Sequence, residues 1–190
     1  TVPGKAGFTT DNHVISLTGS YAVLTLGTVE MTSDCAAGSG NGILLDGAYS
    51  TAQCNGTTLR LKTGSGNGIR YTGNYGGNSG GLQLNNCPVI DITSGGDGIY
   101  MAGTNSTTNP TRCTIDSPGR MTIVSGGYCI SANTGNTILS ILTPARAVLA
   151  SSAARAIHFG NATNMDFTMT AAVVNRWDTN VGIGAIAGSR

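Results

Sequence analysis

A six-residue string recurs along this chain at nearly constant spacing, and it restricts the possible folds more than any other feature. The string Gly-Ser-Gly-Asn-Gly-Ile occurs twice without change, ending at Ile43 and at Ile69. Degenerate copies end at four later isoleucines: Ile99, Ile130, Ile157 and Ile183. The six isoleucines are separated by 26, 30, 31, 27 and 26 residues. A period of this size indicates a solenoid, in which each repeat forms one coil that packs only on its neighbours.

Each copy of the string lies between two short segments with strand-like patterns. Alternating residues such as 59–62 and 89–92 precede it, and short segments such as 43–45 and 69–71 follow it. The string itself is rich in Gly, Ser and Asn, which tolerate turn conformations. A longer polar stretch, for example 104–109, then leads to the next copy. The pattern predicts a strand, a tight turn, a second strand and a loose loop in every repeat.

Strands this short cannot bury an apolar face alone, so like strands of successive repeats are expected to pair in parallel. We therefore predict an all-β, single-stranded parallel β-helix of about seven coils, forming one domain over residues 1–190. Residues 1–33 lack the glycine string and are expected to form an N-terminal cap or an atypical coil, whereas residues 34–190 form the repeated coils. The irregular loop lengths also permit an antiparallel β-sandwich with glycine-rich hairpins.

Residues 90–103, Ile-Asp-Ile-Thr followed by Ser-Gly-Gly-Asp-Gly-Ile-Tyr-Met-Ala-Gly, resemble the coils of autotransporter passenger domains and related bacterial surface adhesins. The likeness is one of repeat style and covers roughly residues 35–190. It implies a right-handed parallel β-helix that is exported to a Gram-negative cell surface. It also implies a role in adhesion, in self-association or as a stalk.

Composition restricts the partners and the location. Charged residues make up 10% of the chain, against about 25% in an average soluble domain, and this is typical of turn-dense extracellular proteins. The net charge of +1 and the absence of a basic run argue against a nucleic-acid partner. No apolar stretch approaches the ~20 residues that span a bilayer. The start of the chain lacks both Met and an export signal, so we expect a processed or excised extracellular piece.

The five cysteines favour disulfides in an oxidising compartment, and with no CxxC pair and two histidines neither a metal nor a cofactor is expected. Cys87 and Cys113 are 26 residues apart, close to one coil, so their Cα atoms could stack within disulfide range. Cys54 could stack on Cys87, or Cys35 and Cys54 could close a loop across one coil. Cys129 is expected to point outward as the odd thiol, either free or intermolecular.

No catalytic centre is recognisable, and the chain is expected not to be an enzyme. A β-helical lyase or glycosidase would need clustered carboxylates. Asp91 and Asp116 are 25 residues apart and could stack beside Arg120, but no further coil adds an acid in register. A polysaccharide-binding or polysaccharide-cleaving β-helix, such as a phage tailspike-like fragment, is therefore the competing hypothesis.

The leading hypothesis is a non-catalytic bacterial surface or extracellular protein that acts in adhesion or self-assembly. Its expected partners are further copies of itself, by end-to-end stacking or lateral association, or a cell-surface ligand such as a glycan. Tyr71, Tyr100 and Tyr128 lie near the string on neighbouring coils and could line a sugar-stacking face. Ice binding would need Thr-x-Thr ranks at the coil period, and the sequence shows none.

Overall fold

The computed structural model describes residues 13, 15–26, 30–35, 40–55, 58–63, 65–74, 81–85, 89–92, 96–116, 120–123, 127–142, 147–151, 157–160, 164–169, 174–177 and 183–185. Regular structure in this part of the chain consists of nineteen β-strands. No helix that is long and apolar enough to cross a membrane occurs there.

The strands form three parallel sheets. Sheet 1 contains β1 (Ile15–Leu17), β4 (Ile43–Leu45), β7 (Ile69–Tyr71), β10 (Ile99–Met101), β13 (Ile130–Ala132), β16 (Ile157–Phe159) and β19 (Ile183–Ala185). Sheet 2 contains β2 (Val23–Leu26), β5 (Thr51–Asn55), β8 (Leu82–Asn85), β11 (Thr111–Asp116), β14 (Asn136–Leu142) and β17 (Asn164–Met169). Sheet 3 contains β3 (Glu30–Cys35), β6 (Thr58–Thr63), β9 (Val89–Ile92), β12 (Arg120–Ile123), β15 (Ala147–Ser151) and β18 (Val174–Trp177).

The chain visits the three sheets in the same order on every coil. Each strand pairs in parallel with the strands one coil before and one coil after it. This pairing confirms the parallel β-helix and excludes the antiparallel sandwich. The described strands make six complete coils and the first strand of another, where about seven coils were expected. The right-handed sense stays a prediction.

The coil has three strands, where the repeat pattern predicted two and a loose loop. The segment after each string forms sheet 1 and the segment before it forms sheet 3, as expected. Sheet 2 was missed because its strands alternate weakly, as in the Thr-Arg-Cys-Thr-Ile-Asp sequence of β11. The polar residues 104–109 do lie outside the strands.

Most of the region expected to be a cap or an atypical coil joins the solenoid. Its described residues form β1, β2 and the start of β3, which pair in register with β4, β5 and β6. Residues 1–12 lie outside the described part of the chain.

The core consists of inward-facing side chains stacked in columns along the solenoid axis. The isoleucines that end the strings lie directly opposite one another in sheet 1, and Ile15 extends their column by one coil. Ile43, Ile69 and Ile99 are fully buried, and burying such a side chain stabilises the fold by about 1.5–3 kcal/mol. The repeat therefore marks the positions where each coil packs on its neighbours.

Candidate functional site

The Asn or Asp of the string forms a hydrogen-bonded ladder, here called the turn ladder. The backbone N–H of Asn41 donates to His13 Nδ1 over 3.0 Å, and that of Asn67 donates to Asn41 Oδ1 over 2.9 Å. The N–H of Asp97 donates to Asn67 Oδ1 over 2.9 Å, and that of Tyr128 donates to Asp97 Oδ1 over 2.7 Å. These side chains satisfy turn amides that the sheet hydrogen bonds leave over. The side-chain oxygens of Asn41, Asn67 and Asp97 therefore have a structural role.

A second ladder of amide side chains runs along the corner between sheets 1 and 2. The Asn136 backbone N–H donates to Asn105 Oδ1 over 3.0 Å, and Asn164 Nδ2 donates to Asn136 Oδ1 over 2.9 Å. Asparagines at both corners thus hold successive coils in register.

The environment of Asp97 differs from that of the asparagines below it. Burial raises the pKa of the Asp97 carboxyl, and this outweighs the lowering by the hydrogen bonds from the Tyr128 backbone and the Ser131 side chain and by the charge of His158. The His158 ring stacks on the Tyr128 ring at 4.4 Å between centroids.

The three tyrosines expected to form a sugar-stacking face do not share a surface. Tyr71 has 0% exposure, and its hydroxyl donates to the Ser50 carbonyl oxygen over 2.9 Å. Because Tyr71 ends the three-residue strand β7, it points inward with Ile69, whereas Tyr100 is the middle residue of β10 and lies on the outer side. The inclusion of Tyr71 in a ligand face was therefore wrong.

The proposed disulfides of Cys54 and Cys113 were also wrong. Both residues are buried, reduced thiols, and burial raises the pKa of Cys54 to about 11 and that of Cys113 to about 12. The residue opposite Cys113 on the preceding coil is Leu82, not Cys87. Local coil spacing is 30 or 31 residues here, so a separation of 26 does not span one coil. Cys87 and the side chain of Cys35 lie outside the described part of the chain.

Cys129 points inward, contrary to the expectation of an outward or intermolecular thiol. Its side chain has 0% exposure and is not in a disulfide. Burial, with a contribution from the charge of Asp97, raises the pKa of Cys129 to about 12. The expectation failed because Cys129 lies in the turn before β13, where strand alternation does not apply. Its backbone oxygen accepts the Ile99 N–H there.

The acidic pair considered for a lyase or glycosidase is not assembled. Asp91 lies in sheet 3, opposite Lys62 on the preceding coil, whereas Asp116 ends a strand of sheet 2 opposite Asn85. Arg120 begins the strand next to that of Asp91 but pairs with Val89. Asp91 and Asp116 thus belong to different sheets and cannot stack in one column.

One stacked aromatic pair, with an exposed and a half-buried member, was missed at the sequence level. Tyr21 and Tyr49 lie on successive coils at the corner between sheets 1 and 2. Their rings are parallel to within 4°, and their centroids are 4.8 Å apart. Both have φ of 58°, in the left-handed region that tyrosine rarely adopts, and Tyr21 is 70% exposed. The sequence signal is the pair Gly19-Ser20-Tyr21 and Gly47-Ala48-Tyr49, spaced as Ile15 and Ile43 are.

A column of outward-facing residues on sheet 2 consists only of uncharged hydroxyl and amide side chains. This set, here called the polar column, has one member on each coil in direct register: Thr25, Gln53, Gln83, Thr114, Ser140 and Thr168. The end members are exposed and the others half-buried. None of these six described side chains forms a hydrogen bond within the chain, in contrast to the asparagines of the corner ladders. Unequal coil lengths hide the column in the sequence.

No protein-family model matches the chain, and comparisons with curated proteins and with solved structures also found no match.

Proposed function

We propose that this chain is a non-catalytic structural β-helix of a bacterial surface or the extracellular space. It acts by self-assembly, through stacking of its ends on a second copy. The observation that carries this proposal is that one core column of sheet 2 is fully buried on the middle coils but only partly buried at both ends, and that Ile15, at the start of the sheet 1 column, is partly buried as well.

At the first coil, the inward side chains of sheets 1 and 2 are incompletely covered. Ile15 and Leu24 are partly buried, whereas the residues opposite them on the next coil, Ile43 and Ala52, have 0% exposure. Partly buried apolar side chains in a core column favour association with a further apolar layer.

At the last described strand of sheet 2, the same change occurs in the opposite direction. Leu139 is fully buried, and its partner on the following coil, Phe167, is only partly buried. The Phe167 ring contacts Phe159 edge-on, with 5.7 Å between centroids. Apolar groups therefore approach solvent at both ends of one column.

The outer strands of sheet 1 supply backbone groups for such a contact. Ile15 N–H donates to the Gly42 carbonyl and Leu17 accepts from Asp46, so both residues bond toward the second coil. Alternation in a parallel strand then directs the Ser16 backbone groups away from the second coil. A copy that places β1 on the β19 edge of another would continue the isoleucine column, and such head-to-tail contacts propagate as filaments.

A bacterial surface location is supported by the low charge and by the repeat style that resembles autotransporter passengers. Disulfides no longer support it, because the thiols of Cys54, Cys113 and Cys129 are reduced. Those reduced thiols also leave the chain without cross-links at these positions that would obstruct export through a narrow pore.

Sedimentation velocity over a range of concentrations tests self-assembly, using Ser16→Pro and Ser16→Ala. Proline removes the edge-facing N–H without touching the bonds of Ile15 and Leu17, whereas alanine keeps it. We expect concentration-dependent oligomers for the parent and for Ser16→Ala, and monomers for Ser16→Pro with an unchanged circular dichroism spectrum. A parent that is monomeric throughout, or a Ser16→Pro protein that assembles like the parent, would overturn the proposal.

A further inference from the structure

We propose that the outer face of sheet 2 binds a neutral polysaccharide chain along the polar column, with the Tyr21 ring as a stacking platform at the first coil. This lateral site does not depend on the ends of the solenoid. It would operate on a single copy as well as on an assembly.

The regular spacing of the polar column fits a repeating polymer. Its six members lie directly opposite one another, so neighbours are about 4.8 Å apart along the axis. A compact ligand would contact only two or three of these positions. An extended polymer with hydroxyl groups on every unit can contact them all.

The hydrogen-bonding groups of the polar column are available to a ligand. Amides and hydroxyls both donate and accept, which matches the hydroxyl groups of sugars. The Gln53 and Gln83 amides have no hydrogen bond within the chain, whereas Asn41 and Asn67 use theirs to hold the turns. The side-chain amides of the two asparagines are thus used within the fold, whereas those of the two glutamines remain available for a ligand.

The charge of this face favours a neutral partner. The polar column contains no ionisable side chain. In the outward column on one side of it, Arg112 and Asp166 bracket Ile138, and in the column on the other side Asp116 lies between Asn85 and Leu142, so no positive charge accumulates beside the polar column. An anionic polysaccharide or a nucleic acid would need a basic stripe, which the described part of this face lacks. Val23, 65% exposed, adds apolar surface for the non-polar face of a sugar ring.

Tyr21 provides the aromatic surface that usually accompanies such sites. One face of its ring stacks on Tyr49, and the residue is 70% exposed to solvent. Tyr21 lies four residues before Thr25, just ahead of the strand in which the polar column begins, so a chain that extends past Thr25 along the first coil would meet its ring. Its left-handed backbone is a strained conformation of the kind that concentrates at functional sites.

The test is co-sedimentation of the full chain with insoluble cellulose, chitin and β-1,3-glucan, with calcium alginate as the anionic comparison. The variants are Tyr21→Ala and the double variant Gln53→Ala/Gln83→Ala, and the matched control is Arg70→Ala on the outer face of sheet 1. We expect the parent and Arg70→Ala to bind at least one neutral polymer. Both site variants should bind at least about tenfold more weakly, which corresponds to about 1.4 kcal/mol.

Three outcomes would overturn the proposal: no binding to any neutral polymer, binding to alginate alone, or site variants that bind like the parent. Circular dichroism of each variant checks that it is folded. A polymer-free sedimentation run of the double variant separates this site from self-assembly. If the polar column instead contacts a second copy, the double variant loses oligomers and the parent binds no polymer.

Discussion

Replacing Asn67 by alanine removes one rung of the turn ladder and tests why the string contains asparagine. The substitution deletes the acceptor for the Asp97 N–H, at 2.9 Å, and the donor to Asn41 Oδ1, at 3.2 Å. The hydrogen bond from the Asn67 backbone to Asn41 is kept, because alanine retains the N–H. Each net hydrogen bond contributes about 1 kcal/mol, and an unsatisfied, partly buried N–H costs about 1–3 kcal/mol. We expect a loss of about 2 kcal/mol in unfolding free energy.

Urea denaturation followed by far-ultraviolet circular dichroism measures this loss. For a chain of this length, 2 kcal/mol corresponds to roughly 4–8 °C in Tm, so a thermal scan gives a second estimate. The control is Gln83→Ala, which removes an amide with no hydrogen bond within the chain and should change stability by less than about 0.5 kcal/mol. Equal losses for the two variants, or no loss for Asn67→Ala, would refute a structural role for the turn ladder.

Three further predictions follow from burial and close approach. Burial raises the pKa of the Asp97 carboxyl in the folded state. The contribution of this carboxyl to stability is therefore fully present below its pKa in the unfolded chain, and it is lost as pH rises through its pKa in the folded protein. Asp97→Asn should therefore give a urea midpoint that changes less with pH from about pH 4 upward, and no loss of stability at neutral pH; a steeper pH dependence would contradict this. In a Cys35→Ser/Cys87→Ser background, iodoacetamide should leave the native protein unlabelled at pH 8 and modify three thiols in urea. Mass spectrometry counts the modified thiols, and rapid labelling of the native protein would contradict their burial. Gly47→Ala would place a Cβ 2.0 Å from the Gly19 carbonyl oxygen, so urea denaturation should show a loss of roughly 3 kcal/mol; a loss below about 1 kcal/mol would show that the corner relaxes.

The string and its spacing were sufficient to predict the stacking axis and the strands of sheets 1 and 3. The string marks a turn whose amides must be satisfied locally and an isoleucine that packs on the coils above and below it. These two requirements repeat on every coil and so leave a visible pattern. Sheet 2 has no such pattern, because Ala52, Leu82 and Cys113 occupy one column with side chains of different size and type.

The alignment of the outward-facing side chains could not be predicted from the sequence either, and the reason is related. Facing positions depend on the number of residues in each corner, and these corners vary in length from coil to coil. The distance between Cys87 and Cys113 suggested one coil, yet the local spacing is longer by several residues. The same variation conceals the alignment of Gln53 with Gln83, which are 30 residues apart and directly opposite in space.

Disulfide trapping between two differently labelled copies tests head-to-tail self-assembly most directly. In the Cys35→Ser/Cys87→Ser background, one preparation carries Ser16→Cys and another carries Gly184→Cys. These positions lie at opposite ends of one column of sheet 1, six strand steps or roughly 29 Å apart within a chain, so no disulfide can join them in one molecule. The account predicts that mixing under mild oxidation yields mainly the mixed dimer. Homodimers of either preparation, or no dimer at concentrations where the parent sediments as oligomers, would contradict it.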